Sequence, residues 1–259
     1  MREPNISVCE YYAKSTDCDI NDMLLPSVLL GTMQEASEVS STSDGFSMEV
    51  MNKAGFCWVI MRMSVDFERM PKWKERFQVR TWNVGTDKLL WTRDYEILDE
   101  EGKKIGAATS EWLVADFATH RPIRPKTLIE STPAGSLNVD YLERVDLTSR
   151  ELRAPKLNVP SRKELGDPVI TKFADYCELD RNNHVNNTRY AAWAIDAIYK
   201  YGIDPDLICS FDINYFSEVH AGQMVDIFVY KDETDPEYYY VVGYIGEDVK
   251  VYAFRFKLR

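Results

Sequence analysis

In residues 178–190, ELDRNNHVNNTRY, the side chains of Asp180, Asn182 and His184 occupy alternate positions just ahead of an apolar run, YAAWAIDAI. A carboxylate, an amide and an imidazole in one short loop are groups that hydrolysis or acyl chemistry uses, as acid or base, oxyanion donor and proton carrier. The chain has only three histidines, at 120, 184 and 220. A calcium-loop reading of D-x-N-x-H-x-N fails, because Val185 stands where an EF-hand needs its sixth-position glycine and Ala191 where it needs its twelfth-position glutamate. Zinc hydrolysis lacks H-E-x-x-H, and G-x-S-x-G, a phosphate-binding loop and a Rossmann glycine pattern are also missing. A plainer reading has Asn186 or Asn187 capping the helix that follows. That accounts for the two asparagines and less readily for the alternating trio.

The elements that must hold this loop repeat along the chain. A helix from about 187 to 200 places Tyr190, Trp193, Ala194, Ala197 and Ile198 on one face, and its first N–H groups and dipole offer an oxyanion site. The segment DPVITKFADY precedes the loop as a strand, and CSFDINYF, QMVDIFVYK, EYYYVVGYI and DVKVYAFRFKL follow the helix as strands. Earlier in the chain, residues 21–41 predict a helix with Leu25, Leu29, Met33 and Ala36 at helical spacing and Asp22 as its cap. Four strands follow it: FCWVIMRMSVDF, RFQVRTWNV, LLWTRDYEILD and KKIGAATSEWLVADF. Residues 63–79 overlay 211–227 without a gap, which sets Glu218 opposite Met70 and gives the second half alone a strand-end carboxylate. Such a glutamate is commonly just solvated; beside the loop it would complete an acid, amide and imidazole site. One helix wrapped by an antiparallel sheet is an α+β solution that buries both elements, and two such units side by side predict one continuous sheet.

Composition narrows the function classes. With 45% hydrophobic and 28% charged residues, the 259-residue chain reads as globular, in one large or two similar units. A net charge of -11 argues against non-specific nucleic-acid binding. No apolar run approaches the ~18 residues of a membrane span, and MREPNISVCEYY has no apolar signal core, so a cytoplasmic location is expected. Five cysteines with no C-x-x-C spacing read as free thiols rather than a disulfide or zinc framework. Residues 119–165 are rich in proline and basic side chains and read as a linker.

The loop ELDRNNHVNNTRYAAW closely resembles the D-x-N-x-H-V-N-N segment of the acyl-ACP thioesterases, plant and bacterial enzymes that release fatty acids from acyl carrier protein. FCWVIMRMSVDFERMPKWKERFQVRTW, MQEAS and SEWLVADFATHRPIRP are similar to that family's segments in the same order. The resemblance implies a double hotdog fold. It assigns residues 1–118 to an N-terminal hotdog with the acyl-chain pocket, 119–165 to a linker, and 166–259 to a C-terminal hotdog with the catalytic residues. Carried over by position, Glu218 with His184 would activate water, or Glu218 would attack covalently. Asn182 and helix N–H groups would polarise the thioester carbonyl, and Asp180 would hold the loop. Plant members have a cysteine directly after this glutamate; here that residue is Val219, so any shared chemistry is independent of that thiol.

Leu25, Leu29 and Met33 are the candidates for lining an acyl tunnel, with core packing as their default role. Acyl carrier protein is acidic, and Arg121, Arg124 and Lys126, followed by Arg153, Lys156, Arg162 and Lys163, form the basic cluster that would receive it, unless they are simply a solvated linker. An acyl-CoA thioesterase, a dehydratase and a non-catalytic acyl-thioester binding module are the alternatives. No cofactor or metal is implied, and the chain would be a monomer or a homodimer joined through exposed strand edges.

Overall fold

The computed structural model describes residues 3–132, 137, 139–151 and 153–259. Its first half contains β1 (Ser7–Tyr12), α1 (Pro26–Ser43), α2 (Met48–Lys53), β2 (Phe56–Phe67), β3 (Arg76–Asp87), β4 (Leu90–Asp99) and β5 (Lys104–Asp116). A connecting stretch holds β6 (Pro122–Ile123) and α3 (Pro125–Ser131). The second half contains β7 (Ile170–Phe173), α4 (Asn187–Tyr201), β8 (Ile208–Tyr215), β9 (Met224–Lys231), β10 (Tyr238–Ile245) and β11 (Val249–Leu258).

All strands join one sheet in the order β1-β3-β4-β5-β2-β8-β11-β10-β9-β7, with β6 paired to β5. The order within the first half is repeated strand for strand in the second, which is the double hotdog arrangement. At the seam, β2 and β8 run antiparallel, with Met63 opposite Ile213, Val65 opposite Phe211 and Ser64 opposite Asp212. The overlay that equates 64 with 212 therefore puts a local two-fold axis through the Ser64–Asp212 pair. Ser64 Oγ donates to Asp212 Oδ1, and Arg255 Nη2 lies 2.6 Å from Asp212 Oδ2, so the buried carboxylate is fully engaged.

Most predicted strands lie within a few residues of those observed; β1 was not foreseen. It alternates half-buried and exposed residues along the sheet edge, so its pattern is weak. The first helix also begins later than residue 21. Pro26 sits at its first turn, where a missing N–H costs nothing, and Asp22 lies outside it at φ 62°.

α1 and α4 pack together on one face of the sheet, over a core that includes Leu29, Met33, Tyr190, Trp193, Phe211 and Phe254. Alternate strand residues point the other way, and the connecting stretch covers them. Leu157 packs with Phe228, Tyr240 and Tyr244, and Val145 packs with Trp82 and Val84. Trp82 Nε1 donates to the Leu147 carbonyl at 3.0 Å, and Asn214 both accepts from Leu157 N (2.9 Å) and donates to the Pro155 carbonyl (3.0 Å). Gly85 is required where this strap crosses β3: its φ is 121°, and a Cβ there would lie 2.7 Å from Arg144 Cα. The linker is thus a strap over the sheet's second face, its prolines suiting extended chain. Residues 133–136, 138 and 152 of that segment lie outside the described residues.

Candidate active site

The polar loop is built by short-range hydrogen bonds. Asp180 Oδ1 accepts the Asn182 N–H at 2.7 Å, Asp180 N donates to the His184 carbonyl at 2.9 Å, and Asn183 takes the left-handed φ of 64° that closes the turn. The loop then enters α4, where Asn186 is the N-cap and its Oδ1 accepts the Thr188 N–H at 2.9 Å. One further bond fixes the loop against the strand end: Val185 N donates to the Val219 carbonyl at 2.8 Å.

That bond brings His184 beside Glu218. His184 Nε2 lies 3.8 Å from Glu218 Oε1, and His184 Nδ1 lies 3.6 Å from Asp180 Oδ2. The imidazole therefore stands between two carboxylates, one in its own loop and one at the end of β8. Both gaps exceed a direct hydrogen bond and match a small closure on substrate. His184 is 23% exposed and Asp180 20%, whereas the Glu218 side chain is 45% exposed and open to water.

These residues face a cavity of about 1160 Å³ lined by both halves. The second half contributes Asp180, Asn182, His184, Asn187, Tyr215 and Glu218. The first contributes Gln34, Ser37, Glu38 and Ser41 of α1 and the aromatic residues Phe46, Trp58, Trp91 and Trp112. At the start of α4, Arg189 N bonds to the Asn186 carbonyl and Thr188 N to the Asn186 side chain. The remaining first-turn donor is the N–H of Asn187, a residue of the cavity wall.

Asp180, Asn182, His184 and Glu218 thus come together. Leu25, Leu29 and Met33 do not line the cavity: Leu29 and Met33 are buried in the main core, and α1 meets the cavity through other positions, from Gln34 onward. Arg121, Arg124 and Lys126 are exposed and outside it, with Lys126 Nζ 3.9 Å from Glu130. Arg153 pairs with Asp87 at 3.3 Å, Lys163 with Glu247 at 3.9 Å, and the Arg162 guanidinium stacks 4.3 Å from the Phe228 ring centroid. Lys156 lies in a smaller depression that shares Phe216 and Ser217 with the main cavity. Val219, at the position of the plant cysteine, is fully buried. Cys57 also feels the site: burial pushes its thiol up, and the charges of Glu218 and Asp116 push it further.

Sequence reasoning missed the roof of the cavity. Phe46 and α2 close over Trp58 and Trp91, with Trp58 and Trp91 edge to face at 5.3 Å between centroids. The three strand tryptophans at 58, 91 and 112 were the available signal. Among the described residues, no group of three His, Cys, Asp or Glu side chains is placed to hold a metal ion, and no helix is long and apolar enough to cross a membrane.

The geometry defines a two-unit hotdog protein with one equipped loop and one shared cavity. Family models for the acyl-ACP thioesterase N-terminal domain and C-terminal domain match residues 7–129 and 167–252, so the chain belongs to the acyl-ACP thioesterase family. Among curated relatives, it is 24% identical over 230 residues to oleoyl-acyl carrier protein thioesterase 2, chloroplastic, of Arabidopsis thaliana. That match covers 84% of this chain and 60% of the relative, so the chain spans about 60% of that protein's length. A crystal structure of an acyl-ACP thioesterase from Bacteroides thetaiotaomicron superposes with a TM-score of 0.83 at 25% identity, covering 98% of each chain. The fold is also that of the 12:0-ACP thioesterase from Umbellularia californica, with a TM-score of 0.72 at 20% identity, covering 98% of this chain and 97% of that one.

Proposed function

We propose that the protein hydrolyses the thioester of fatty acyl-ACP, releasing free fatty acid and holo-ACP. The observation that carries this reading is His184 held between Asp180 and Glu218 at a cavity large enough for an acyl chain. In this reading the second half performs the chemistry and the first half receives the chain. Glu218 takes a proton from water, directly or through His184, and the water oxygen bonds to the thioester carbon. Asn182 and the Asn187 N–H stabilise the oxyanion. The C–S bond then breaks, and the pantetheine sulfur leaves as the thiol, taking the proton back from whichever group holds it, Glu218 or His184. The solvent access of Glu218 supports a water-activating role over a sealed nucleophile.

Carrier docking falls to the basic side of the connecting stretch. Asp116 N donates to the Arg121 carbonyl at 2.9 Å, and Cys57 is within electrostatic reach of both Asp116 and Glu218. That proximity supports placing Arg121 and Arg124 near the site mouth, where an acidic carrier would approach.

The test is thiol release from matched acyl-ACP and acyl-CoA substrates across chain lengths, with Glu218→Gln alongside. Faster release from acyl-ACP, lost in the variant, is the expected result. Preference for acyl-CoA would overturn the carrier assignment, and no release from either would leave an acyl-thioester binding protein.

A further inference from the structure

The cavity is not uniformly apolar. Phe46, Trp58, Trp91 and Trp112 form an aromatic band, with Phe46 and Trp91 centroids 5.4 Å apart. Two residues past Trp91, on the same face of β4, stands Arg93. It lines the cavity yet is only 8% exposed. Two hydroxyls hold its guanidinium, Thr81 Oγ1 and Ser41 Oγ, each at 3.3 Å. Among the described residues no carboxylate comes within ion-pair distance; Glu38 and Asp44 act on it from further away. Burial pulls its pKa down.

Unpaired polar atoms gather in the same wall. Trp91 Nε1, Gln34 Oε1 and Asp44 Oδ2 are buried without a hydrogen-bond partner, although Asp44 Oδ1 is engaged by Tyr141 and by Asn5 Nδ2 at 2.6 Å. Glu38 accepts the Met48 N–H at 3.1 Å. A wall with buried donors and acceptors together is poorly matched to hydrocarbon, because each unpaired group keeps its desolvation cost. An anionic chain end would meet Glu38 and Asp44. A hydroxyl can accept from Arg93 or Trp91 Nε1 and donate its one proton to Gln34 Oε1 or Asp44 Oδ2, once a side-chain turn brings these enclosed atoms to the cavity surface.

The sheet register sets the distance. Arg93 pairs with Ser110, Ser110 with Met63, and Met63 with Ile213 of β8, the strand that leads to Glu218. Three strand spacings put about 14 Å between the backbones of Arg93 and Ile213, and Glu218 lies five residues beyond Ile213, past the end of β8. A hydroxyl at carbon 3 would lie at the thioester, so the matching group sits far down the chain. We infer that the cavity selects acyl chains bearing a hydroxyl remote from the thioester, with Arg93 as the specificity-determining residue; this rests on the thioesterase reading above.

The experiment compares acyl-ACPs of one chain length, unsubstituted or hydroxylated at successive positions from mid-chain to the far end. It uses the wild-type protein, Arg93→Met and Trp91→Phe, which keeps an aromatic, though smaller, ring and removes the N–H donor. In the wild type, one remote hydroxyl position should raise kcat/KM about 10- to 100-fold over the unsubstituted chain. That ratio should fall to about one in Arg93→Met and partway in Trp91→Phe. A parallel arm measures the Tm of Glu218→Gln with the free hydroxy and unsubstituted fatty acids, and the hydroxy acid should give the larger rise. Equal or faster hydrolysis of the unsubstituted chain at every position would overturn the inference and leave the thioesterase reading intact. No hydrolysis of any thioester, with Tm still favouring the hydroxy acid, would uphold the hydroxyl site and sink the hydrolytic reading. Equal Tm shifts without hydrolysis would overturn both.

Discussion

Residues 13–26 and 174–187 form the same loop twice. Each has a short 3-10 turn, then a bridge, Cys18 with Leu24 and Leu179 with Val185, and a left-handed residue, Asp22 at φ 62° and Asn183 at φ 64°. In each, an aspartate folds back on the residue two ahead: Asp19 Oδ1 accepts Asn21 N at 2.8 Å, as Asp180 Oδ1 accepts Asn182 N at 2.7 Å. Each is tied to its neighbouring strand end, Leu24 N to the Pro71 carbonyl at 2.9 Å and Val185 N to the Val219 carbonyl at 2.8 Å. The difference lies in two side chains: Met23 and Met70 stand where the second loop has His184 and Glu218. Asp-x-Asn is therefore first a way of folding this loop. In the proposed mechanism the proton chemistry falls to the two residues that the first copy lacks.

Breaking that contrast at its strongest point means His184→Ala, expected to lower kcat about 100- to 10,000-fold, while Met23→Ala leaves turnover within a few-fold. Steady-state kinetics decide it; comparable losses in both would erase the distinction. Asn182→Ala should cost on the order of 100- to 1000-fold in kcat as an oxyanion donor, and Asn21→Ala almost nothing. Retention of near-normal kcat by Asn182→Ala would reduce it to a loop residue.

The aspartates sharpen the comparison through stability. Asp19→Ala removes two side-chain bonds to backbone N–H groups, those of Asn21 and Met23, and Asp180→Ala removes one, so they should destabilise by about 2 and about 1 kcal/mol in denaturant melts. Only Asp180→Ala should also lower kcat, because His184 then loses one of its two flanking carboxylates. The smallest effect is expected outside the loops. Charge reversal at Arg121 and Arg124 should raise KM for acyl-ACP several-fold and leave a short pantetheine thioester unchanged, and equal effects on both substrates would remove these residues from carrier docking.

The sequence carried the second loop openly, because Asp180, Asn182 and His184 cluster and Asn186 precedes a strongly apolar helix face. It also carried the Glu218–Met70 correspondence, because strand residues align there without a gap. It concealed the first loop. Asp19 to Met70 spans 51 positions and Asp180 to Glu218 only 38, so no single offset matches both loop and strand. The surplus is the segment around α2, which roofs the cavity with Phe46. The sequence points to tunnel residues on α1's apolar stripe at Leu29 and Met33, but that stripe is what the core takes. The cavity is left with Gln34, Ser37, Glu38 and Ser41, polar residues that a hydrophobic pattern passes over. In sequence the strap looks like a bare linker because its contacts are made by single residues such as Leu157 and Val145 without periodicity.

The seam between β2 and β8 has one more consequence. In a pair of identical chains, the residue on the two-fold axis must face its own copy, so an aspartate would meet an aspartate and a serine a serine. Here the two positions are encoded separately, and Ser64 faces Asp212 with Arg255 attached to one side only. A single polypeptide can place at its centre of symmetry a polar contact that exact symmetry forbids.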